Sequence, residues 1–262
     1  MMESRRILVV DDDEISRLVA EEILRNLGAA VDTAATQEEA MGLTGQHRYD
    51  LILLDVNMPG MNGIELARVM TTLDASLRGK VALLTAGEHC GTPSQAAQAS
   101  SLRIFLKPLD PGQFHDFIAR SSRFHVPCPH ASPSTVAAHP PIEGIDIATG
   151  MNNFMGSEQS YFSTLAAFPA YGQRFLDEFS LHLHDGNARE CNRLAHSLKG
   201  SSAMIGAMEI HATAREIEAA YYGDQDPQNV EALFRRLKKQ MLKTIAGVCA
   251  SLKNRPSPFD NS

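Results

Sequence analysis

Five polar residues stand at the ends of short apolar runs. Ile7-Leu8-Val9-Val10 runs into Asp11 and Asp12, and Leu51-Ile52-Leu53-Leu54 runs into Asp55. Val81–Leu84 is followed by Thr85, and Ile104–Leu106 by Lys107. An aspartate after a strand is often only a helix N-cap, and a single Lys-Pro step carries no meaning. The conjunction is more specific. Three carboxylates brought to one spot repel, so they need a cation beside them near neutral pH. Oxygen-only ligands with room for water suit Mg2+ (or Mn2+ in its place), and Mg2+ prefers octahedral geometry at roughly 2.0–2.1 Å. A carboxylate, a divalent cation, a hydroxyl and an ammonium together make a site for a phosphoryl group. The metal and the lysine would offset its charge.

A second constellation lies far downstream, in Ala195-His196-Ser197-Leu198-Lys199-Gly200-Ser201-Ser202. Helical spacing puts Cys191, Leu194, Leu198 and Ile205 on one face, which should enter a core. Asn192, His196, Lys199, Gly200 and Ala203 share another face. An imidazole exposed there, with a lysine one turn away, is a candidate nucleophile. Glycine inside a helix costs about 1 kcal/mol relative to alanine. Gly200, four residues after His196, leaves a bare depression by which a partner can approach and dock. Most exposed histidines do nothing, and this chain has 10 of them, so composition alone leaves the role of His196 open.

The elements that must position these groups follow from periodicity. Apolar runs at Ile7–Val10, Ala30–Thr33, Leu51–Leu54, Val81–Leu84 and Ile104–Leu106 read as strands. Helical patterns lie between them, such as Ile15, Leu18, Val19, Ile23 and Leu27, closed by Gly28. Strands alternating with helices imply a five-stranded parallel sheet covered on both faces. Ligands of such sheets sit at the carboxyl ends of the strands, beside a topological switch point. Residues 121–140 break the pattern with prolines and small polar residues, and read as a Pro-rich linker. His125, Cys128 and His130 within it lack a fourth metal ligand and a frame. From Ile142 onward no strand signal remains. Helices are expected at 158–184, 187–205, 208–222 and 228–251, with Asp185-Gly186 and Gly223-Asp224 as breaks, which makes an antiparallel four-helix bundle.

Charge and composition narrow the partners. Residues 1–120 hold 17 acidic against 11 basic side chains, and residues 141–262 hold 14 against 12. Nucleic acid is not an expected partner, because phosphate backbones reward clustered Lys and Arg. The stretch Arg235-Arg236-Leu237-Lys238-Lys239 reads as a solvated helix face. No apolar run is long enough for membrane insertion. The opening residues lack the form of a signal peptide, and four scattered cysteines suit a reducing compartment, so a cytoplasmic location is expected.

The order Val-Val-Asp-Asp, Asp55-Val-Asn-Met-Pro-Gly, Leu-Leu-Thr-Ala and Phe-Leu-Lys-Pro, each at its own strand end, resembles the response-regulator receiver domain over residues 5–120. That resemblance implies a flavodoxin-like doubly wound sheet over residues 1–120, with Asp55 as phosphoacceptor. It further implies that Asp12 and Asp55 hold Mg2+ by their carboxylates, Asn57 by its backbone carbonyl and Asp11 through water. Thr85 and Lys107 would contact the phosphoryl oxygens, and the Lys107–Pro108 bond is usually cis in that family. One departure is visible: the family commonly has Tyr or Phe three residues before the lysine, and this chain has Ile104, with Phe105 one place later. The segment His196-Ser-Leu-Lys-Gly, with Gly206 six residues on, resembles the histidine-containing phosphotransfer domain, as do Ile142–Asp146 and Phe175–Phe179. By that resemblance residues 141–255 are the bundle, His196 is phosphorylated on a ring nitrogen and Lys199 steadies the group.

The expectation is a phosphorelay intermediate. Asp55 takes phosphate from a sensor histidine kinase, and His196 exchanges it with another receiver domain or response regulator. Such a chain is a signalling protein and not an enzyme, except that the receiver catalyses its own phosphorylation and dephosphorylation. A second reading, of a different class, is a binding regulator of a kinase or target, switched at Asp55 and docked through the bundle.

Overall fold

The computed structural model describes residues 5–85, 102–107, 109, 114, 139–222 and 227–253. The chain divides into two compact units, Met1–His130 and Ala131–Ser262. Pro108, linker residues 121–138 with His125, Cys128 and His130, and the Gly223-Asp224 break lie outside the described residues.

The first unit alternates β1 (Arg6–Val10), α1 (Glu14–Asn26), β2 (Ala30–Ala34), α2 (Gln37–Gln46), β3 (Leu51–Asp55), α3 (Gly63–Leu73), β4 (Val81–Thr85) and β5 (Arg103–Leu106). The sheet has the order β2-β1-β3-β4-β5 and every neighbouring pair is parallel. Helices cover it on both faces, so Leu8, Val9, Leu53, Leu54 and Leu83 are wholly buried and the central strands carry unbroken apolar runs. Asp13 caps α1 by accepting from Ser16 N at 2.8 Å. At the other end Gly28 N and Ala29 N donate to Arg25 O and Leu24 O, which closes the helix in a Schellman turn. The edge strand β5 turns Phe105 inward, stacked on Phe114 at 4.5 Å between ring centroids, and leaves Ile104 exposed. The aromatic of this strand is therefore a core residue.

The second unit is helical: α4 (Ile147–Asn153), α5 (Glu158–His184), α6 (Ala188–Met204), α7 (Met208–Tyr222) and α8 (Pro227–Lys253). The four long helices agree with the expected spans to within two residues, and α5 continues through Pro169. They bury Phe168, Phe179, Leu198, Ile210, Ile217, Leu237 and Met241 between them. The short α4 is an addition to the four-helix bundle, ahead of its first long helix. Asp146 caps it by accepting from Thr149 N, and Asn153 Nδ2 ties its end to Ala203 O and Met204 O at 3.3 and 2.9 Å. Gly206 has φ +82°, and a Cβ there would lie 2.1 Å from Asp146 O. Only glycine lets the segment entering α4 lie against the end of α6, where Asp146 N donates to Gly206 O at 2.9 Å. Among the described residues, no helix is long and apolar enough to cross a membrane.

Candidate functional site

Parallel register brings the first set of polar residues together. Val10 pairs with Leu54 across β1 and β3, so Asp11 and Asp55 follow side by side. The β4–β5 ladder matches Thr85 with Leu106, and Lys107 N donates to Thr85 O at 2.7 Å. One oxygen from each of Asp11, Asp12 and Asp55 lies within 4.8 Å of the other two. Lys107 Nζ sits 2.5 Å from Asp11 Oδ2 and 2.9 Å from Asp55 Oδ1. Asp11, Asp55 and Thr85 are buried, at 1, 3 and 2% exposure. Asn57 follows on the β3–α3 loop and is half-buried.

Local structure holds this arrangement tightly. Asp11 N donates to Ala34 O at 3.2 Å, Asp11 Oδ1 accepts from Asp13 N at 2.9 Å, and Arg17 Nη1 donates to Asp11 O at 2.5 Å. On the other side, α3 begins against the back of Asp55. A Cβ on Gly63 would lie 2.1 Å from Asp55 O, so a side chain there would push the helix off the strand end.

The charge balance is unfavourable without a cation. Burial first, and then the neighbouring Asp55 and Asp13, push the Asp11 carboxyl up to about 8 against the downward pull of Lys107. Burial works to discharge Lys107, but Asp11 and Asp55 outweigh it and hold the ammonium protonated. A buried carboxyl that tends to keep its proton is relieved by a hard divalent cation, which competes for the same oxygens. The donors are all oxygen, so the chemistry of the set fits Mg2+ or Mn2+.

The second set meets across α6 and α7. His196 Nδ1 lies 2.6 Å from Glu218 Oε1, and Lys199 Nζ lies 2.6 Å from Glu218 Oε2. One carboxylate therefore clamps both the ring and the ammonium. An ionised carboxylate only accepts, so Nδ1 carries a proton, and in the neutral ring the nucleophilic lone pair is that of Nε2. Burial works to raise the Glu218 carboxyl, but the bonds from His196 and Lys199 outweigh it and hold it down at about 2. His211 Nδ1 donates to Lys199 O at 2.8 Å, which ties α7 to the same turn of α6. A Cβ on Gly200 would meet nothing within 4 Å. The bundle's own packing therefore does not require glycine at that position.

Cys191, Leu194, Leu198 and Ile205, which helical spacing assigns to the core, are all buried. His196, expected to be exposed, is only 21% exposed because Glu218 draws its side chain against α7. Glu218 itself was missed. The available hint was an acid four residues after Ala214, one turn further along the buried face of α7.

A parallel sheet with a carboxylate cluster at its switch point and a bundle that presents a clamped imidazole define a phosphotransfer protein of two-component signalling. Known families agree with this. The model of the response regulator receiver domain matches residues 7–119, and that of the Hpt domain matches residues 164–252. Sporulation initiation phosphotransferase F of Bacillus subtilis (strain 168) is 30% identical over 119 residues, covering 45% of this chain and 94% of that protein. Sensory/regulatory protein RpfC of Xanthomonas campestris pv. campestris is 24% identical over 231 residues, covering 82% of this chain but 30% of that protein. The chain thus spans under a third of that larger relative. The solved chemotaxis protein CheY4 of Vibrio cholerae matches with a TM-score of 0.40 and 26% identity, over 45% of this chain and 98% of that one. The chain belongs to the response-regulator receiver family and carries an Hpt domain in the same polypeptide, an architecture of the two-component phosphorelay.

Proposed function

We propose that Asp55 and His196 are the two phosphoryl stations of this relay. The receiver over residues 1–120 takes phosphate from a sensor histidine kinase. The Hpt bundle over residues 141–255, beyond the 121–140 linker, exchanges it with another receiver or response regulator. In the first step an Asp55 carboxylate oxygen attacks phosphorus, the bond to the donor's imidazole breaks, and an acyl phosphate forms. Asp11, Asp12, Asp55 and the Asn57 carbonyl would hold Mg2+ or Mn2+, which supplies charge neutralisation when bound. Lys107 shifts from pairing two carboxylates to pairing the phosphoryl oxygens, and Thr85 offers its hydroxyl to them. In the second step His196 Nε2 attacks an aspartyl phosphate, the carboxylate leaves, and the imidazole phosphate forms. Glu218 keeps the proton on Nδ1 as positive charge develops on the ring, and Lys199 steadies the transferred group. Gly200 leaves room for the partner's approach. In this reading the chain acts on no separate substrate and works in the cytoplasm.

The observation that carries the reading is the clamp of His196 by Glu218, in a chain whose other unit gathers Asp11, Asp12 and Asp55. Single-turnover transfer of labelled phosphate tests it. Asp55→Asn should accept none from a phosphorylated kinase, and His196→Gln should accept none from a phosphorylated partner receiver. Label on the bundle of His196→Gln, stable to base as phosphohistidine is, would overturn the assignment.

A further inference from the structure

The segment that links β2 to α2 touches both halves of the acidic pocket. At its start, Ala34 O accepts from Asp11 N at 3.2 Å, which fixes the strand end that carries Asp11 and Asp12. Three residues later, the carboxamide of Gln37 reaches over to the β3–α3 loop. Its Nε2 lies 2.6 Å from Pro59 O and 3.0 Å from Met61 O. Two carbonyls converging on one atom require the NH2 there, so the orientation of the amide follows from its partners.

The base of Gln37 is rigid. It is the first residue of α2, behind the N-cap Thr36, whose Oγ1 accepts from Glu39 N at 3.2 Å. Glu39 reaches back to accept from Ala35 N at 2.7 Å, which ties down the residue before the cap as well. Ala40, in the same turn, is wholly buried. The loop that Gln37 holds is anchored at both ends: Met58 is buried and Asn62 caps α3. Between those anchors Pro59, Gly60 and Met61 are exposed, and Gly60 takes φ +76°. Apolar burial cannot hold an exposed turn of this kind, so its two carbonyls are fixed from outside.

We infer that Gln37 is a positioning residue for the cation site, holding the loop that carries Asn57 in register with Asp11 and Asp12. The inference rests on the proposed cation-dependent chemistry at Asp55. With Gln37 in place the loop is ordered before the ion arrives; without it, ordering the loop is charged against binding. Because the two bonds are neutral and solvent-accessible, their removal should weaken Mg2+ binding by about three- to tenfold.

The test uses the full chain with Gln37→Met, which keeps the bulk and loses both donors, and with Gln37→Ala. Mg2+ affinity is measured by titration calorimetry, and amide exchange of residues 57–62 is measured in metal-free protein. Both variants should bind Mg2+ more weakly by the stated factor and exchange faster in that loop. Phosphorylation at saturating Mg2+ should be close to the parental rate, with melting little changed. Asp12→Ala serves as the reference. If Asp12→Ala binds Mg2+ as the parent does, the carboxylate site itself is wrong. If Asp12→Ala loses Mg2+ while both Gln37 variants match the parent in affinity and exchange, the positioning role is overturned. Loss of melting temperature with unchanged Mg2+ affinity likewise makes Gln37 a structural residue only.

Discussion

Replacing Glu218 by alanine removes the acceptor of two short bonds at once, from His196 Nδ1 and from Lys199 Nζ, each 2.6 Å long. The cost to folding is limited. Both donors keep access to water, at 21 and 18% side-chain exposure, so neither is left as a stranded buried charge, and the net loss should be about 1–2 kcal/mol. The cost to transfer should be larger in its consequence. A hydrogen bond to a charged group contributes about 1.5–3 kcal/mol, and here it fixes both the tautomer and the ring plane. If most of that is expressed as Nε2 meets phosphorus, the rate falls about 10- to 100-fold. Glu218→Gln keeps an oxygen that can accept from Nδ1 but loses the charge, and it releases Lys199 toward the phosphoryl group, so it should lose only about threefold. The assay uses full chain carrying Asp55→Asn, leaving His196 as the acceptor, and a phosphorylated partner receiver as donor in single turnover. A Glu218→Ala protein that melts near the parent and transfers within twofold of its rate would refute the tautomer argument. So would equal losses in the alanine and glutamine variants.

The Glu218 carboxyl is held at about 2 against an ordinary 4.5. Its folded value is depressed, so its contribution to bundle stability is present above about 4.5 and fades as pH falls through about 2. Carboxyl-carbon NMR should place the midpoint well below the ordinary glutamate range, and a midpoint at the ordinary value would count against the clamp. At the receiver, Asp55→Asn should abolish acceptance from a small acyl-phosphate donor with Mg2+ present, and Asp12→Ala should come close to that. Equal, stable labelling of Asp55→Asn and parent would remove Asp55 from the mechanism. Gly206→Ala adds a Cβ 2.1 Å from Asp146 O at φ +82°, so it should destabilise the bundle by about 3 kcal/mol or more. Urea unfolding of the helical unit measures this, and a loss under about 1 kcal/mol would mean that the α4 entry relaxes freely.

Much of the molecule was legible before folding because the signals are local. Strands buried on both faces must be apolar throughout, so runs such as Leu51–Leu54 announce themselves, and polar residues at their ends are conspicuous. The start of the helix at 158 and the breaks at Gly28 and Gly186 likewise depend on neighbours a few residues away. The short α4 was missed because Ile147-Ala-Thr-Gly-Met-Asn-Asn has little helical propensity of its own, and its closing bonds go to Ala203 and Met204, some 50 residues on. The carboxylates of Asp11 and Asp55 could be placed together from strand order, since parallel register allows little freedom. Glu218 and Gln37 could not be placed. Each acts on groups 19 to 24 residues away, and whether such side chains meet depends on how one helix is rotated against its neighbour or on where a loop comes to rest. Those variables are set by the packing of the whole core. The sequence by itself therefore determined which groups are candidates for the chemistry, because their signals are local, and the tertiary structure decided which groups hold them in position.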